Sequence, residues 1–148
     1  MRCTRMSDRR PTSPRSDRGA RTARERRVEF GDFQTPPELA REVVECLARS
    51  ARAPASIVEP TCGRGHLLAA ALERWTDARV AVGVEVQAAH LEAARLRLAA
   101  VPSTCDVRLE LGDFFALDWR ATLAALPEPI LIVGNPPWVT NAAVGRLD

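Results

Sequence analysis

Short apolar runs alternate with segments of helical periodicity along most of this chain, and that alternation restricts the possible folds more than any other feature. The predicted strands are residues 56–60, 78–86, 106–113 and 129–135. The predicted helices between them are residues 65–75, 87–101 and 119–126. Strands that are separated by helices pair in parallel through right-handed crossovers. The sequence therefore predicts an α/β fold with a parallel sheet and flanking helices, which is half of a doubly wound domain.

A further helix is predicted upstream of the first strand, in the segment FQTPPELAREVVECLARSA. Thr35 is the expected N-cap, Pro36 and Pro37 occupy the first turn, and Glu38 completes a capping box. Apolar residues recur at helical spacing in this segment, so one face of the helix is expected to be buried. That face consists of Leu39, Val43, Val44 and Leu47.

Charge is distributed unevenly along the chain, and all 21 basic residues are Arg. Residues 1–27 contain ten Arg against three acidic residues and hardly any apolar side chains, so they cannot form a core. We expect a disordered arm, which is either a phosphate-binding segment or, as the favoured interpretation, an unselected leader. Residues 28–148 carry 11 Arg against 16 acidic residues and are expected to form the folded domain.

Several classes of protein are disfavoured by the composition. No apolar run approaches the roughly 20 residues of a membrane span, and the N-terminus lacks the apolar stretch of a secretory signal. The four cysteines form no CxxC pair, and neither histidine lies in a cluster with metal-ligand spacing. We therefore expect a cytoplasmic protein with reduced thiols, no membrane contact and no metal.

The loop after the first predicted strand reads EPTCGRGHLL. Ligands of parallel α/β sheets bind beyond the carboxyl ends of the strands. Gly63 and Gly65 allow the backbone to turn tightly and to approach a ligand closely before a helix begins. Glu59, at the strand end, disfavours a phosphate ligand and favours a cationic one. A tight strand-to-helix turn without a ligand is the alternative.

Acidic and aromatic residues follow the second and third predicted strands. Glu85 ends the second strand about 20 residues after the glycines, the usual position of the acidic residue that binds ribose hydroxyls in nucleoside-binding sheets. Asp113 can accept a hydrogen bond from an exocyclic amine, and Phe114 or Phe115 can cover a flat base. One of the two phenylalanines is expected to pack in the core instead.

The strongest signal is the sequence NPPW, which follows the fourth predicted strand at residues 135–138. Pro136 and Pro137 remove backbone N–H groups and keep the chain extended. The amide oxygen of Asn135 and a backbone carbonyl then form a rigid pair of hydrogen-bond acceptors. Trp138 adds a plane on which a ring can stack. Such a loop suits a planar group that carries an amine.

Together these motifs resemble those of the S-adenosylmethionine-dependent amino-methyltransferases, in particular the DNA adenine-N6 methyltransferases of restriction–modification systems. The resemblance extends from about Phe30 to Trp138. The glycine loop resembles the family's cofactor loop, GVEV its ribose-binding position, GDFF its adenine-contacting segment and NPPW its catalytic motif. The upstream FQTPPELA resembles the Phe-x-Thr-Pro segment that closes over the methionine end of the cofactor.

This resemblance implies the Rossmann-like class I methyltransferase fold and the cofactor S-adenosyl-L-methionine. The implied cofactor-binding residues are Phe33, Thr35, Pro36, Glu59, Pro60, Cys62, Gly63, Gly65, Glu85, Asp113 and Phe114. The implied catalytic residues are Asn135, Pro136, Pro137 and Trp138. The implied reaction is direct methyl transfer to the N6 amine of an adenine flipped out of DNA, which is the implied partner.

The acceptor and the completeness of the domain are open at the level of sequence. The same NPP-aromatic loop occurs in methyltransferases of ribosomal RNA guanine N2 and of a protein glutamine, while the order with the Thr-Pro segment first favours DNA. In the family, further strands and a target-recognition domain follow the NPP strand. We therefore expect a partial, N-terminal cofactor-binding half, from a truncated gene or, less favoured, from a split enzyme with a second chain. A non-catalytic remnant is the remaining alternative.

Overall fold

The computed structural model describes residues 34–136, so the predicted arm 1–27 lies outside the described residues. The helices of the described part are α1 (Pro37–Ala48), α2 (His66–Arg74), α3 (Ala88–Ala99) and α4 (Trp119–Ala124). The strands are β1 (Ser56–Glu59), β2 (Val80–Glu85), β3 (Asp106–Leu111) and β4 (Ile130–Ile132). Each predicted helix and strand therefore occurs in the predicted order, with somewhat shorter bounds.

The four strands form one parallel sheet in the order β3–β2–β1–β4. β1 pairs on both sides, with Val58 in register with Val82 of β2 and with Ile132 of β4. β2 pairs with β3 along its full length. This arrangement confirms the predicted parallel α/β fold, and it directs the carboxyl ends of all four strands to one edge of the sheet.

Alternate residues of the central strands face opposite sides of the sheet and enter two separate cores. Ile57 and Ala81 lie in the core that the sheet forms with α1 and α2. Val58 and Val82 lie in the second core, which α4 and Leu126 help to cover. Because β1 and β2 are buried on both faces, they are almost entirely apolar. The acidic residues at their carboxyl ends are the exception, and they mark the functional edge.

The start of α1 differs from the prediction. Pro36 is the N-cap, in an extended conformation with φ −60° and ψ 147°, and no side chain caps the helix. The prediction of Thr35 as N-cap, with Glu38 in a capping box, is therefore wrong. The reason is that a residue before proline avoids the helical region, so Pro37 keeps Pro36 outside the helix and makes it the cap. The buried face also differs slightly, because Ala40 and Val44 are buried whereas Leu39 is 48% exposed.

The helices are short and serve to cover the sheet. α1 and α3 have 12 residues each, and α4 has six. Within residues 34–136, no helix has the length and apolar character needed to cross a membrane.

Candidate active site

Two buried carboxyl groups lie side by side at the carboxyl edge of the sheet. Glu59 ends β1 and is only 3% exposed, and Glu85 ends β2 and is only 8% exposed. The two strands are hydrogen-bonded neighbours, with Glu59 in register with Gly83. Two acidic residues at adjacent strand ends, both turned inward, are unusual because buried carboxylates are costly without partners. Their partners define the site.

The glycine loop between β1 and α2 adopts backbone conformations that favour glycine. Gly63 has φ 52° and Gly65 has φ 75°, both in the left-handed region. A Cβ atom on Gly65 would lie 3.1 Å from the Cβ of Ala94, and one on Gly63 would overlap the side-chain oxygen of Gln34. The loop is closed by a hydrogen bond of 2.7 Å from the Gly65 N–H to the Cys62 carbonyl.

The Glu85 carboxylate holds the backbone of this loop in place. Its Oε2 accepts a hydrogen bond of 2.9 Å from the Gly63 N–H, and its Oε1 accepts one of 2.8 Å from the Gln87 N–H. A carboxylate offers about four acceptor positions, so two such bonds leave capacity for further donors. A pair of ribose hydroxyls is a suitable set of further donors.

Glu59 has a less favourable environment for its charge. Its Oε2 accepts a hydrogen bond of 2.9 Å from the Leu68 N–H in the first turn of α2. Burial raises the pKa of Glu59 to about 8, the Leu68 hydrogen bond acts in the opposite direction, and the charge of Glu85 adds to the increase. Within residues 34–136, no basic side chain forms an ion pair with Glu59. A cationic ligand group would therefore stabilise its ionised form.

Cys62 is a packing residue rather than a nucleophile. It is 4% exposed and lies in a small core with Leu91 and Ala94. Burial, followed by the charges of Glu59 and Glu85, raises the pKa of its thiol to about 12, so the thiolate is not formed at neutral pH. The thiols of Cys46, Cys62 and Cys105 are free. In the part of the chain that the structure describes, no group of three or more His, Cys, Asp or Glu side chains could hold a metal ion.

The segment before α1 packs directly on the glycine loop. The Gln34 side chain accepts a hydrogen bond of 2.9 Å from the Arg64 N–H through Oε1, and its Nε2 lies 3.4 Å from Nδ1 of His90. The His66 ring contacts the backbone of Thr35, and burial together with the charge of Arg97 lowers the pKa of His66. The structure thus places the Thr-Pro segment against the glycine loop, and its predicted contact with the cofactor stays a prediction.

Gln34 and His90 are site residues that the sequence analysis did not identify. His90 is 7% exposed, and its Nδ1 lies 4.0 Å from Oε1 of Glu85. Gln34 occupies the variable position of the Phe-x-Thr-Pro segment, and His90 follows the acidic strand end by five residues. His90 could have been identified from its position in the first turn of α3, because that turn starts directly beside the acidic strand end.

The turn after β3 lies next to Glu85, because the Gly112 N–H donates to the Glu85 carbonyl at 3.0 Å. Oδ1 of Asp113 accepts a hydrogen bond of 2.9 Å from the Phe115 N–H. The Phe114 ring packs against Trp119, with ring centroids 5.6 Å apart, whereas Phe115 is 82% exposed. Phe114 is therefore the more buried of the two, but neither phenylalanine belongs to a core cluster of the described residues, so the expectation that one packs in the core is wrong. The contact of Phe114 with a base remains a prediction.

The residues after β4 lie beside the glycine loop. The Val133 N–H donates to the Val58 carbonyl at 2.9 Å, which continues the parallel pairing past β4. The hydroxyl of Thr61 then donates to the backbone carbonyl of Asn135 at 3.4 Å. The structure therefore brings Asn135 and Pro136 to the same edge as Glu59. Phe33, Pro137 and Trp138 lie outside the described residues.

The comparisons with known proteins agree with this geometry, although no protein-family model matches the chain. The chain is 41% identical over 123 residues to the type II methyltransferase M.NspV from Nostoc sp., and this alignment covers 82% of the chain. It covers 25% of the Nostoc protein, so the chain spans about a quarter of the length of that relative.

Two solved structures share the fold. One is a putative RNA methyltransferase from Pyrococcus horikoshii, at TM-score 0.55 and 18% identity, covering 78% of this chain and 55% of that one. The other is a putative class I S-adenosylmethionine-dependent methyltransferase from Listeria monocytogenes, at TM-score 0.53 and 22% identity, covering 72% of this chain and 32% of that one. The chain therefore has the class I methyltransferase fold, and over 82% of its length it is similar to a type II methyltransferase.

The candidate site fits S-adenosylmethionine, the cofactor that the similarity to methyltransferases implies. Glu59 is a buried carboxyl group suited to an ammonium, and Glu85 has acceptor capacity suited to ribose hydroxyls. Gly63 and Gly65 allow the loop between β1 and α2 to turn tightly beside these carboxyl groups. The chemistry of these donors and acceptors therefore matches the charge and the hydroxyl groups of that molecule.

Proposed function

We propose that this chain transfers a methyl group from S-adenosylmethionine to the N6 amine of adenine in DNA. The observation that carries the proposal is the contact between Thr61 and the Asn135 carbonyl, which joins the glycine loop to the start of the NPPW motif. The relative named a type II methyltransferase supports the assignment. An acceptor site and a cofactor site at one sheet edge are what a direct transfer between two bound molecules requires.

In this proposal the two acidic strand ends and the glycine loop hold the cofactor. Glu59 binds its ammonium, Glu85 binds its ribose hydroxyls, and Asp113 accepts a hydrogen bond from its adenine amine, with Phe114 beside the ring. Gly63 and Gly65 allow its methionine part to approach the backbone. Pro60 and Cys62 shape the loop on its side away from the cofactor. Phe33, Thr35 and Pro36 close over the methionine end of the cofactor. S-adenosylmethionine, when bound, supplies an already activated methyl group.

The acceptor base is held by the NPPW motif. The side-chain oxygen of Asn135 and the Pro136 carbonyl accept hydrogen bonds from the two N6 hydrogens of adenine. These bonds leave the lone pair of the nitrogen available, and they stabilise the positive charge that develops on it during transfer. Pro137 keeps the loop extended, and Trp138 stacks on the flipped base.

The remaining functional assignments concern the whole protein. We propose that DNA is the partner in a restriction–modification setting in the cytoplasm, and that residues 1–27 do not form part of the folded domain. The chain spans about a quarter of its relative's length, so the relative contains residues that lie outside the alignment with this chain. A second polypeptide that supplies them to this chain is a prediction.

The first test is a calorimetric titration of the 148-residue chain with S-adenosylmethionine, followed by incubation with the tritiated cofactor and unmethylated DNA. The labelled DNA is then digested to nucleosides. We expect saturable binding and label in N6-methyldeoxyadenosine. Label in C5-methylcytosine would contradict the adenine assignment. Transfer only to ribosomal RNA or to a glutamine-containing peptide would replace it with one of the other acceptors.

The Asn135→Ala variant tests the role of the amide. The Thr61 contact is made by the backbone carbonyl of Asn135, which alanine retains, so the loop should keep its position. We expect methyl transfer to fall at least about 100-fold, the scale for loss of one group that stabilises developing charge. Cofactor affinity should stay within about twofold, since one neutral hydrogen-bond group outside the cofactor site is removed.

The matched control is Asn135→Asp, which keeps an oxygen acceptor at the same place and should retain measurable transfer. If Asn135→Ala transferred methyl groups as fast as the unmodified chain, Asn135 would not hold the amine. Loss of transfer together with loss of cofactor binding would also contradict the proposed division of roles.

A further inference from the structure

Two consecutive N–H groups of the glycine loop are held by side chains from distant parts of the chain. The Gly63 N–H donates to Glu85, 22 residues away, and the Arg64 N–H donates to Oε1 of Gln34, 30 residues away. Both of these side chains reach His90. Its Nδ1 lies 3.4 Å from Nε2 of Gln34 and 4.0 Å from Oε1 of Glu85.

The orientation of the Gln34 amide follows from these contacts. Because Oε1 accepts the Arg64 N–H, Nε2 is the atom that faces His90, and an amide NH₂ can only donate. The Nδ1 atom of His90 must then present a lone pair to Gln34, which places the imidazole proton on Nε2. His90 is therefore an acceptor for Gln34 in the neutral form of the imidazole.

His90 is well placed to fix the geometry of its neighbours. It lies in the first turn of α3 and is 7% exposed, so packing restricts its ring. The contact between Gln34 and His90 is partly buried, and a hydrogen bond that is shielded from water orders its members more strongly than the same groups are ordered in water. The Gln34 side chain, in contrast, belongs to a segment outside the helices, and a Cβ on Gly63 would meet it. The His90 ring is thus the more rigid member of the network.

We propose that His90 is a positioning residue, which holds Gln34 on the Gly63–Arg64 peptide and thereby keeps the glycine loop in the shape that receives S-adenosylmethionine. This inference rests on the proposed function, because it assumes that the loop binds the cofactor. It links the N-terminal segment of the cofactor site to the first turn of α3 through a hydrogen bond across 56 residues of sequence. Gln34 and His90 act together, so neither should be sufficient alone.

The test uses three variants of the 148-residue chain and two measurements. His90→Leu removes the acceptor, His90→Asn keeps an acceptor oxygen near the position of Nδ1, and Gln34→Met removes both hydrogen bonds at similar volume. The first measurement is the calorimetric affinity for S-adenosylmethionine. The second is the hydrogen-exchange rate of the Arg64 amide without cofactor, which reports the Gln34 bond directly.

We expect His90→Leu and Gln34→Met each to weaken cofactor affinity about five- to tenfold, as the loss of the part-buried bond between His90 and Gln34, with or without the exposed bond between Gln34 and Arg64, predicts. His90→Asn should stay within about twofold of the unmodified chain. The double variant His90→Leu/Gln34→Met should be no weaker than Gln34→Met alone, since both changes break one network. Hydrogen exchange of the Arg64 amide should accelerate in the variants that contain His90→Leu or Gln34→Met, and in no other variant. Glu92→Gln, on the exposed side of α3, is the control that should change neither measurement.

A purely structural role for His90 gives the opposite order. Leucine suits a buried helix position at least as well as asparagine, so His90→Leu would then be tolerated better than His90→Asn, and the effects of His90→Leu and Gln34→Met would multiply. Either result overturns the proposal. If the unmodified chain binds no S-adenosylmethionine, the proposed function fails for this chain. The Arg64 exchange rate then still decides on the network, and unchanged protection in His90→Leu would overturn it.

Discussion

Glu59 shows, at the scale of a single residue, how the fold buries an acidic group at the end of a strand. The carboxyl group ends an apolar strand, is 3% exposed, and receives one backbone hydrogen bond from Leu68. Its ordinary pKa of 4.5 is raised to about 8, mainly by burial. The native state therefore keeps a proton that the unfolded state has released at neutral pH. This difference makes stability depend on pH.

We predict that Glu59→Gln removes this dependence. The native state binds more protons than the unfolded state between pH 4.5 and about 8, so the free energy of unfolding falls as pH rises through that window. Urea titrations near pH 5 and pH 8 should show a loss of up to about 3 kcal/mol in the unmodified chain. The free energy of unfolding of the Glu59→Gln variant should fall much less between these two pH values. Glu73→Gln, at a half-exposed side chain, should behave like the unmodified chain. Parallel profiles for all three proteins would contradict the assignment.

Gly63 is the second residue for which we predict a specific loss. Its φ of 52° disfavours any residue with a Cβ, and a Cβ there would overlap Gln34. We expect Gly63→Val to weaken S-adenosylmethionine binding more than tenfold, because strain of about 1–3 kcal/mol would displace the loop. The control is Gly112→Ala, where a Cβ would make ordinary contacts at 3.7 Å. Unchanged affinity in Gly63→Val would show that the cofactor does not approach this loop.

At the scale of elements, sequence predicts best what depends on local pattern. The alternation of strands and helices followed from apolar runs, and the inward acidic residues followed from the rule that ligands bind at strand ends. The start of α1 was missed because Pro37 excludes the preceding residue from the helix, which overrides the capping pattern at Thr35. The pairing of Gln34 with His90 was also missed. Gln34 and His90 are 56 residues apart, so no local periodicity of the sequence indicates their contact.

At the scale of the whole molecule, the described sheet has β4 at one edge. Neighbouring residues of β4 face opposite sides of the sheet: Leu131 packs against the main core, whereas Ile132 is 55% exposed. An apolar side chain on a strand at the edge of the described sheet favours association with other strands.

We predict that Ile132→Lys reduces self-association of the 148-residue chain, because a charged side chain on an edge strand opposes strand addition. Light scattering over a range of protein concentrations measures this effect. Cofactor affinity should not change. Leu131→Lys is the matched control on the neighbouring residue, and burial of its charge should unfold the chain instead. Equal association of Ile132→Lys and the unmodified chain would show that this edge is not the contact surface.

The position of β1 between β2 and β4 has a consequence for how the chain acquires its structure. β1 can pair with β2 early, since Ser56 aligns with Val80, but its other side aligns with Ile130, far along the chain. Closing the longer loop costs more entropy and slows folding. During synthesis, the central strand must therefore remain exposed along one side until β4 leaves the ribosome. The NPPW motif begins three residues after the end of β4, so this motif and the pairing of β1 with β4 emerge in close succession.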